Sequence, residues 1–565
     1  MTADVRDWAA APLLTRRRPA PDRDALVVAA LALACVALLV LFVLWPLYGI
    51  LSLSFVTDDG IGLGNYTSYF ANDKFTRVVS NSFAVALTTT AITVTLAYGF
   101  AFAMKRSSMR MKSVFGLIAL LPLFAPSLVQ ALGILFLLGR NGIVNRTFDL
   151  SIDIYGFWGI VISDVFYSFP HAYLILSAAL AVGDARLYES ARLLGATPGR
   201  IFRDITLPST RYGLQSAVFV VFTIVITDFG NPMVIGGDYS VLATEIYNQV
   251  AGQANFRMGA VIGVVLLIPA AVAAIAEKWI VRRHHVGIGA GSVPLSTLPH
   301  RGRDRVSFAF SAIVCTLIAL VVGVVFVASF VTLWPYNLHF SLRHYRFEVQ
   351  NGLQPIWTSI WVSLLAAAIG IVVTVSAAAA SRRLAPALSR AIAFLAILPA
   401  AVPGMVLGLG YLFVFNNPAN PFEVLYGTLA ILAFCTVYHY HAQGYLIAST
   451  SVNQISRVFD EASTVLGATY FRTLRQVLLP IIAPSILSIG VFFFVRSMVT
   501  LSAVIFLITP RTQMAAVSVL LLDDSGQQNQ AAAYSVCIML VVASALLLLQ
   551  LALRLAGKRN VSVIR

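Results

Sequence analysis

Charged residues are scarce in this chain of 565 residues. Asp, Glu, Lys and Arg make up 11% of it, whereas they make up about a quarter of an average soluble domain. Hydrophobic residues account for 59% of the chain, and the mean hydropathy is +0.85. This composition excludes a water-soluble globular protein, and it predicts a chain that lies within a lipid bilayer.

Cysteines and catalytic clusters are also scarce. The four cysteines lie in four different apolar stretches, with no partner at a spacing typical of a disulfide or a metal site: Cys35, Cys315, Cys435 and Cys537. We therefore expect all four to be packing residues. The apolar stretches lack paired carboxylates, a His-x-x-x-His-like cluster and a nucleophile beside a base, which argues against a membrane-embedded enzyme.

A nucleotide-binding P-loop is missing as well. The motif G-x-x-x-x-G-K-[ST] does not occur, and the one Gly-Lys pair, Gly557-Lys558, lacks both the upstream glycine and the following Ser or Thr. The net charge of +15 does not indicate nucleic acid, because the basic residues are spread over alternate loops and do not form one aromatic-bearing face.

The chain does contain a series of long apolar stretches. A helix of about 20 residues crosses a hydrocarbon core of about 30 Å. This length predicts about twelve transmembrane spans, at residues 26–50, 81–104, 113–139, 154–180, 213–235, 256–281, 307–332, 355–380, 388–415, 425–450, 482–508 and 530–556. The first stretch is too long for a cleaved signal peptide and lacks a small-residue cleavage site, so we expect it to be retained as a helix.

The distribution of positive charge predicts the orientation of the chain. Of the 39 Lys and Arg residues, 30 fall in loops on the side of the N-terminus, 8 fall in the opposite loops, and Arg496 lies within a span. Cytoplasmic loops carry the excess of Lys and Arg in membrane proteins, so both termini are predicted to be cytoplasmic.

One polar segment occurs twice. It reads ESARLLGATPGRIFRDITLP at residues 189–208 (the first repeated segment) and EASTVLGATYFRTLRQVLLP at residues 461–480 (the second repeated segment). Three residues recur 272 positions later: Glu189, Gly195 and Pro208 correspond to Glu461, Gly467 and Pro480. The order of residues predicts a short surface helix, a turn at the glycine and a second short helix that the proline stops. The alternative is a capped loop that needs no partner.

Further repeats extend the duplication over most of the chain. The run SFVT at 54–57 returns 275 positions later, LP at 121–122 with Pro126 and Gly133 returns 277 positions later, and YL at 173–174 returns 272 positions later. About six spans per half predict two halves that enter the membrane in the same direction around a shared pathway. The fold class is therefore an all-α polytopic membrane protein made of two parallel six-helix repeats.

These repeats and the composition predict five divisions of the chain. They are a cytoplasmic N-terminal tail at 1–25, a first half at 26–283, a cytoplasmic linker at 284–306, a second half at 307–556 and a cytoplasmic C-terminal tail at 557–565.

The repeated segments resemble the EAA loop of binding-protein-dependent ABC importer permeases, in which a Glu with a nearby Ala precedes a Gly and a closing Leu-Pro. In that family the loop forms a coupling helix that docks in a groove on a cytoplasmic ATPase. The resemblance covers both halves and implies a fused permease of type I ABC importer architecture in the bacterial inner (plasma) membrane. It implies coupling roles for Glu189, Ala191, Gly195, Leu207, Pro208, Glu461, Ala462, Gly467, Leu479 and Pro480.

The same resemblance implies the partners. They are two cytoplasmic ABC ATPase subunits, a periplasmic solute-binding protein, a small-molecule substrate and the membrane lipid. ATP and Mg would be bound by the ATPase, and no cofactor is expected in this chain. Closure of the two ATPases would rock the two halves around a central site.

Ionisable groups inside the spans are costly, and the few that occur are candidates for the pathway. Asp228 and Arg496 lie in the matching fifth spans of the two halves, and Arg496 matches Ile224, one turn before Asp228. Two alternatives stay open: the two side chains pair across the pseudo-axis as a gate or site, or each bonds locally. Asp164, in the fourth span, has the simpler alternative of a hydrogen bond to a neighbouring helix.

The run Tyr438-His439-Tyr440-His441 contains ligand types that suit Fe(III). On a helix the two histidines point about 200° apart and cannot chelate together. Tyr438 and His441 share a face, but the first half has phenylalanine at both matching positions. We therefore predict helix packing and no metal site.

Within the family, the chain most closely resembles fused permeases for 2-aminoethylphosphonate and for ferric iron. FVRSMVTLSAVIFL at 494–507 resembles both groups, whereas ITDFGNPMVIGGDYSVLATEIYNQVAGQANF at 226–256 and FVTLWPYNLHFSLRHYRFEV at 330–349 look more like the first. The implied cargo is 2-aminoethylphosphonate, because the Arg496 guanidinium suits a phosphonate. Ferric iron is the alternative. A secondary transporter is a further alternative, although it would not need two repeated segments.

Overall fold

The structure, a computed structural model, describes residues 23–283, 293, 295, 297, 299–347 and 351–555. The predicted tail at 557–565, most of the tail at 1–25 and part of the linker at 284–306 lie outside these residues. Nearly all of the described chain is helical, which confirms the all-α class. Helices dominate because a chain in lipid must satisfy its backbone donors and acceptors internally.

The first half contains fourteen α-helices. They are α1 (Arg23–Leu39), α2 (Trp45–Ser54), α3 (Gly64–Ala71), α4 (Asp73–Arg106), α5 (Lys112–Leu120), α6 (Leu128–Leu138), α7 (Ile143–Thr147), α8 (Phe157–Ala181), α9 (Ala185–Leu193), α10 (Pro198–Ile201), α11 (Leu207–Ile226), α12 (Gly230–Ile235), α13 (Leu242–Tyr247) and α14 (Phe256–Arg283).

The second half follows the same plan and begins at Arg301, inside the segment predicted as linker. Its helices are α15 (Arg301–Ser329), α16 (Gln354–Arg383), α17 (Pro386–Ile397), α18 (Gly404–Phe415), α19 (Leu429–His439), α20 (His441–Asn453), α21 (Val458–Val465), α22 (Tyr470–Thr473), α23 (Leu479–Val499), α24 (Ala515–Asp524) and α25 (Gln528–Leu555).

Two short antiparallel hairpins follow the first span of each half. β1 (Val56–Thr57) pairs with β2 (Gly60–Ile61), and β3 (Val331–Leu333) pairs with β4 (Asn337–Phe340). The repeated run SFVT leads into both hairpins, so this sequence repeat corresponds to a structural one. The part of the chain that the structure describes has no further strands.

Ten helical stretches of the described residues are long and apolar enough to cross a membrane, and α17 with α18 forms an eleventh that is bent by 103°. The sequence predicts about twelve spans. The remaining predicted span, 425–450, is divided at Tyr440 into α19 and α20.

The third span is broken in both halves. Its helix tightens into a 3₁₀ turn at Leu121–Phe124 in the first half and at Leu398–Ala401 in the second, and each turn has a proline at its second residue. Because proline has no N–H to donate, an α-helical turn cannot continue unchanged through it. In the second half, α18 then runs at 103° to the helix before the break.

The π-helical segments Phe202–Thr206 and Leu474–Leu478 correct one prediction about the repeated segments. Pro208 and Pro480 were predicted to stop the second short helix, but each is the second residue of a long helix, α11 or α23, that continues from α10 or α22 through the π segment. A π segment adds a residue to the helical turn, so the proline ring is accommodated without a helix end.

The first helices of the two halves are exchanged. α2 packs on α18 of the second half, and α15 packs on α6 of the first half. Both contacts depend on equivalent glycines: a Cβ built on Gly133 would overlap the backbone oxygen of Val321, and one built on Gly410 would overlap that of Pro46. The two halves are therefore interlocked at these close backbone contacts.

Replacing Gly133 and Gly410 by alanine should destabilise the chain, because overpacking costs about 1–3 kcal/mol at each site. Thermal unfolding of the full-length protein in detergent would measure the loss. Gly323→Ala is the matched control, since Gly323 lies on α15, the helix that Gly133 contacts, but a Cβ there would have no neighbour within 4 Å. Equal melting temperatures for the double variant and the control would contradict the interlocking role.

Candidate functional site

The two repeated segments adopt the same backbone conformation. The glycine after the first helix has a φ of +74° at Gly195 and +69° at Gly467. The N–H groups of the glycine and of the next residue donate to carbonyl groups three and five residues earlier, at 3.0 and 2.9 Å in the first segment and at 3.0 Å in the second. This is a Schellman helix end, which favours glycine because other side chains are strained at positive φ. The predicted turn is present in both segments.

Each Schellman turn carries two exposed apolar side chains at its tip. Leu193 and Leu194 are 89% and 86% exposed, and the matching residues Val465 and Leu466 are 87% and 83% exposed. Exposed apolar side chains at equivalent tips are typical of a surface to which another protein binds. The sequence analysis did not single them out, because the sequence does not distinguish these exposed apolar residues from the neighbouring apolar residues.

The other residues predicted for coupling lie around these tips. Most are exposed and two are half-buried: the exposed ones are Glu189, Leu207, Pro208, Glu461, Ala462 and Pro480, and the half-buried ones are Ala191 and Leu479. Their accessibility is compatible with docking, and the docking role itself stays a prediction.

The linker ties the first repeated segment to the rest of the chain. The N–H of Val293 donates to Oδ1 of Asp184 at 3.4 Å, and the carbonyl of Val293 accepts from the N–H of Ala185 at 2.9 Å. Asp184 and Ala185 form the start of α9. Val293 of the linker is therefore hydrogen-bonded to the start of the helix that carries the first tip.

The second repeated segment is held by other elements. Asp460, the residue before this segment, forms an ion pair with Arg382 at 2.6 Å. Asp24 of α1 accepts a hydrogen bond from the N–H of Tyr470 at 2.6 Å, at the start of α22. The two tips thus share one shape but have different supports.

A small cavity of about 40 Å³ lies at the junction of the two halves. At roughly 10–15 Å³ per water, it has room for only a few water molecules. The first half lines it with Leu123, Ala125, Ser127, Tyr167, His171, Asp228 and Gly230, and the second half with Tyr440, Arg496, Val499, Thr500, Leu501 and Ser502. The two residues predicted for the pathway, Asp228 and Arg496, both line this cavity.

Arg496 bonds across the junction. Its Nη2 lies 3.0 Å from Nε2 of His171 on α8, and its guanidinium carbon lies 5.5 Å from the ring centre of Tyr440. A guanidinium can only donate, so His171 Nε2 is the acceptor. The ion pairs of the described residues do not include one between Arg496 and Asp228. The partner of Arg496 in this conformation is therefore a histidine that the sequence analysis missed.

Asp228 is held at the start of α12. Its Oδ2 accepts from the N–H of Asn231 at 3.0 Å. The Asn231 side chain donates to Oδ1 of Asp164 at 2.8 Å and accepts from the N–H of Ala131 at 3.2 Å. Asp164 thus makes the hydrogen bond to a neighbouring helix that the sequence suggests. The network joins α6, α8 and α12 behind the cavity.

Each half has one close glycine–serine contact at the cavity wall, and the positions of the glycine and the serine are interchanged between the halves. A Cβ on Gly230 would overlap Oγ of Ser127, and a Cβ on Gly404 would overlap Oγ of Ser502. Gly230 matches Ser502 at the 272-residue offset, and Ser127 matches Gly404 at the 277-residue offset. The break in the third span therefore meets the chain after the fifth span closely in both halves.

The Tyr438 to His441 run lies among packed helices. Nδ1 of His441 lies 3.0 Å from the carbonyl oxygen of Ala396, and the rings of Tyr438 and His441 stack at 5.6 Å. Within the described ranges, no group of three or more His, Cys, Asp or Glu side chains is arranged to hold a metal ion. The run contributes to helix packing here.

Two interlocked sets of membrane-length helices, a polar cavity at their junction and two equivalent exposed tips define a two-half membrane permease. The chain belongs to the binding-protein-dependent transport system inner membrane component family, whose model matches residues 93–286 and 370–560. It is a multi-pass permease subunit of an ABC importer.

Named relatives match most of the chain. It is 28% identical over 545 residues to the ferric transport system permease protein FbpB of Actinobacillus pleuropneumoniae, with 93% of this chain and 78% of that protein covered. It is 23% identical to the Fe(3+)-transport system permease protein FbpB 2 of Haemophilus influenzae, with 86% and 91% covered. A solved chain of a bacterial ABC transporter that imports the acidic polysaccharide alginate has a TM-score of 0.40 and 18% identity, with 46% of this chain and 96% of that chain covered.

Proposed function

We propose that this chain is the membrane permease of an ATP-driven importer of ferric iron. The observation that carries the proposal is the similarity, along both halves, to proteins named as ferric transport permeases, one of which covers 93% of the chain. The relatives give no support to the expectation of 2-aminoethylphosphonate, so ferric iron takes first place as the cargo.

In the proposed mechanism, one ATPase subunit docks on each exposed tip from the cytoplasm. Each tip is closed by a Schellman turn, and the two tips are equivalent because the two segments share one conformation. Closure of the ATPases on ATP and Mg would move both tips together and rock the two halves. A periplasmic binding protein would deliver the solute at the opposite face, and both termini would be cytoplasmic.

The cavity between the halves is the proposed passage in a closed conformation. Its volume of about 40 Å³ is too small for an organic solute of several heavy atoms. Among the described residues, Oγ1 of Thr500 is a buried polar atom of the lining without a hydrogen-bond partner. Buried polar atoms are normally bonded, so this hydroxyl is suited to bond a passing solute once the halves separate.

A small phosphonate such as 2-aminoethylphosphonate is the second candidate cargo. The observation that favours it is the environment of Arg496, which lines the cavity and bonds to His171. The Asp228 carboxylate, which lines the same cavity, accepts from Asn231 and forms no ion pair with Arg496. A guanidinium binds phosphonate oxygens well and repels a bare metal cation.

Uptake of labelled ferric iron and labelled 2-aminoethylphosphonate, measured side by side in cells with and without this gene, tests the proposal. Loss of iron uptake alone, restored by the gene in trans, is the expected result. Loss of phosphonate uptake alone would replace ferric iron by the second candidate. Unchanged uptake of both would leave only the coarser assignment as a permease.

Arg496→Gln should separate the two cargoes. Removing a charged hydrogen-bond donor costs an anionic solute about 1.5–3 kcal/mol, so phosphonate uptake would fall about tenfold or more, whereas uptake of a bare cation would not fall. Initial uptake rates at equal membrane levels would measure this. Arg343→Gln, at an exposed arginine outside the cavity, is the matched control. A large fall in iron uptake would contradict transport of bare Fe3+ past this residue.

A further inference from the structure

A second pocket lies between the first repeated segment, the end of α4 and the linker. Its volume is about 520 Å³, within the roughly 300–1,000 Å³ of small-ligand pockets. Arginines at 106, 192 and 303 contribute to its lining, and Phe102, Phe202 and Leu295 contribute to an apolar wall. The pocket therefore combines positive charge with an apolar surface.

Arg106 is a buried cation in this pocket. It is only 7% exposed, and a Cβ on Gly183 would collide with its guanidinium, so the glycine leaves room for it. Nη2 donates to the hydroxyl of Tyr188 at 3.3 Å, and the guanidinium carbon lies 5.1 Å from the centre of that ring. Nε has no partner. A buried guanidinium without a counter-charge is strongly destabilising.

Among the residues that the structure describes, no carboxylate forms an ion pair with Arg106. From 284 to 303 the linker has no Asp or Glu. The next residue, Asp304, accepts from the N–H groups of Ser108 and His300 at 3.0 and 2.9 Å and pairs with Arg303 at 3.1 Å. Its carboxylate is therefore already in use.

The second half shows how the same position is neutralised when an acid is present. Arg383 matches Arg106 at the 277-residue offset, and Asp460 matches Tyr188 at the 272-residue offset. Asp460 pairs with Arg382 at 2.6 Å and with Arg383 at 3.4 Å. The first half has the arginine but has a tyrosine in place of the acid, so the described residues leave Arg106 without a counter-charge.

We propose that this pocket binds the phosphate of an anionic phospholipid. The phosphate lies in the pocket next to Arg106 and supplies the negative charge that the Asp460 carboxylate supplies in the second half, and the upper part of an acyl chain lies against Phe102 and Phe202. Arg106 ends a transmembrane helix on the side proposed to be cytoplasmic, at the level of the headgroups. Basic pockets between helices on that side bind anionic headgroups.

A lipid at this site would join the membrane to the first coupling tip. The same pocket is lined by α4, by Arg192 of α9 and by the linker, so one phosphate would add a contact to the hydrogen bonds of Tyr188, Asp184 and Thr297 that join these elements. The second tip has its own internal ion pairs and needs no lipid. The inference does not depend on the cargo.

The test is a titration of the purified full-length protein with phosphatidylglycerol, with phosphatidylcholine and inorganic phosphate as separate probes, followed by native mass spectrometry. We expect one phosphatidylglycerol to bind in preference to phosphatidylcholine. Arg106→Gln and Tyr188→Asp should each weaken this binding about tenfold or more, as expected for the loss of a charged hydrogen bond. Arg383→Gln is the matched control and should leave the binding unchanged.

Tyr188→Asp keeps the test informative if Arg106→Gln does not fold, because it places a carboxylate where the second half has one. Melting temperatures of all variants would confirm that they are folded. Equal phosphatidylglycerol binding by wild type and Tyr188→Asp would overturn the proposal. Saturation of the site by inorganic phosphate alone would overturn the lipid assignment and indicate a soluble phosphate ligand.

Discussion

Uptake of the cargo should be lost when Gly195 and Gly467 are both replaced by valine, while the protein still inserts in the membrane. Both glycines have positive φ, and a Cβ at either one would meet nothing within 4 Å. The substitution therefore acts through the backbone and not through packing. A left-handed conformation costs an L-residue about 1–2 kcal/mol, so two sites would lower the population of intact tips about 30-fold or more.

The matched control replaces the same two glycines by asparagine, which adopts the left-handed region far more readily than valine. Uptake should be largely retained in the asparagine variant and lost in the valine variant, at equal membrane levels. Full uptake with valine at both positions would refute the role of the Schellman turns in coupling. Loss of membrane insertion with valine would show a structural role instead.

Association with the ATPase should be lost when Leu194 and Leu466 are both replaced by aspartate. Each side chain is more than four-fifths exposed in the chain alone, at 86% and 83%. Burying a leucine contributes about 1.5–3 kcal/mol, so the loss of two such contacts would weaken the complex about 100-fold or more. Co-purification of the ATPase with the tagged permease, in detergent, would measure this loss.

The control for this experiment places aspartate at two other exposed apolar positions, Ile61→Asp and Leu338→Asp. These residues lie on the two hairpins and are 91% and 53% exposed. They should leave the ATPase bound, because the hairpins lie outside the repeated segments. A full amount of ATPase on the Leu194 and Leu466 double variant would rule out the tips as the docking surface.

The sequence predicted most of the fold because apolar length and internal repetition are local properties. The turns at Gly195 and Gly467 were predictable for the same reason, since glycine after a helical run favours a left-handed residue. The proline stops were predicted wrongly. Pro208 and Pro480 follow π segments, and the choice between a helix end and a π turn depends on the packing of the following span, which a local pattern does not contain.

The candidate site was predictable only in part. Asp228 and Arg496 stand out because a charge inside an apolar span is rare, and both line the cavity. Their partners follow from the tertiary fold. His171 is not a repeated residue, since the second half has Gln443 at the matching position, and its bond to Arg496 crosses between halves. That no described carboxylate pairs with Arg106 likewise appears only when its surroundings are known.

The exchange of first helices also has a consequence for the order of synthesis. α2 packs against α18, and α6 packs against α15, so both helices of the first half depend on helices of the second half. While the ribosome is still translating the second half, the first half has these faces in contact with lipid and cannot complete its packing. A single gene that encodes both halves therefore delivers the missing surfaces to the same place in the membrane, in equal number and within one round of translation.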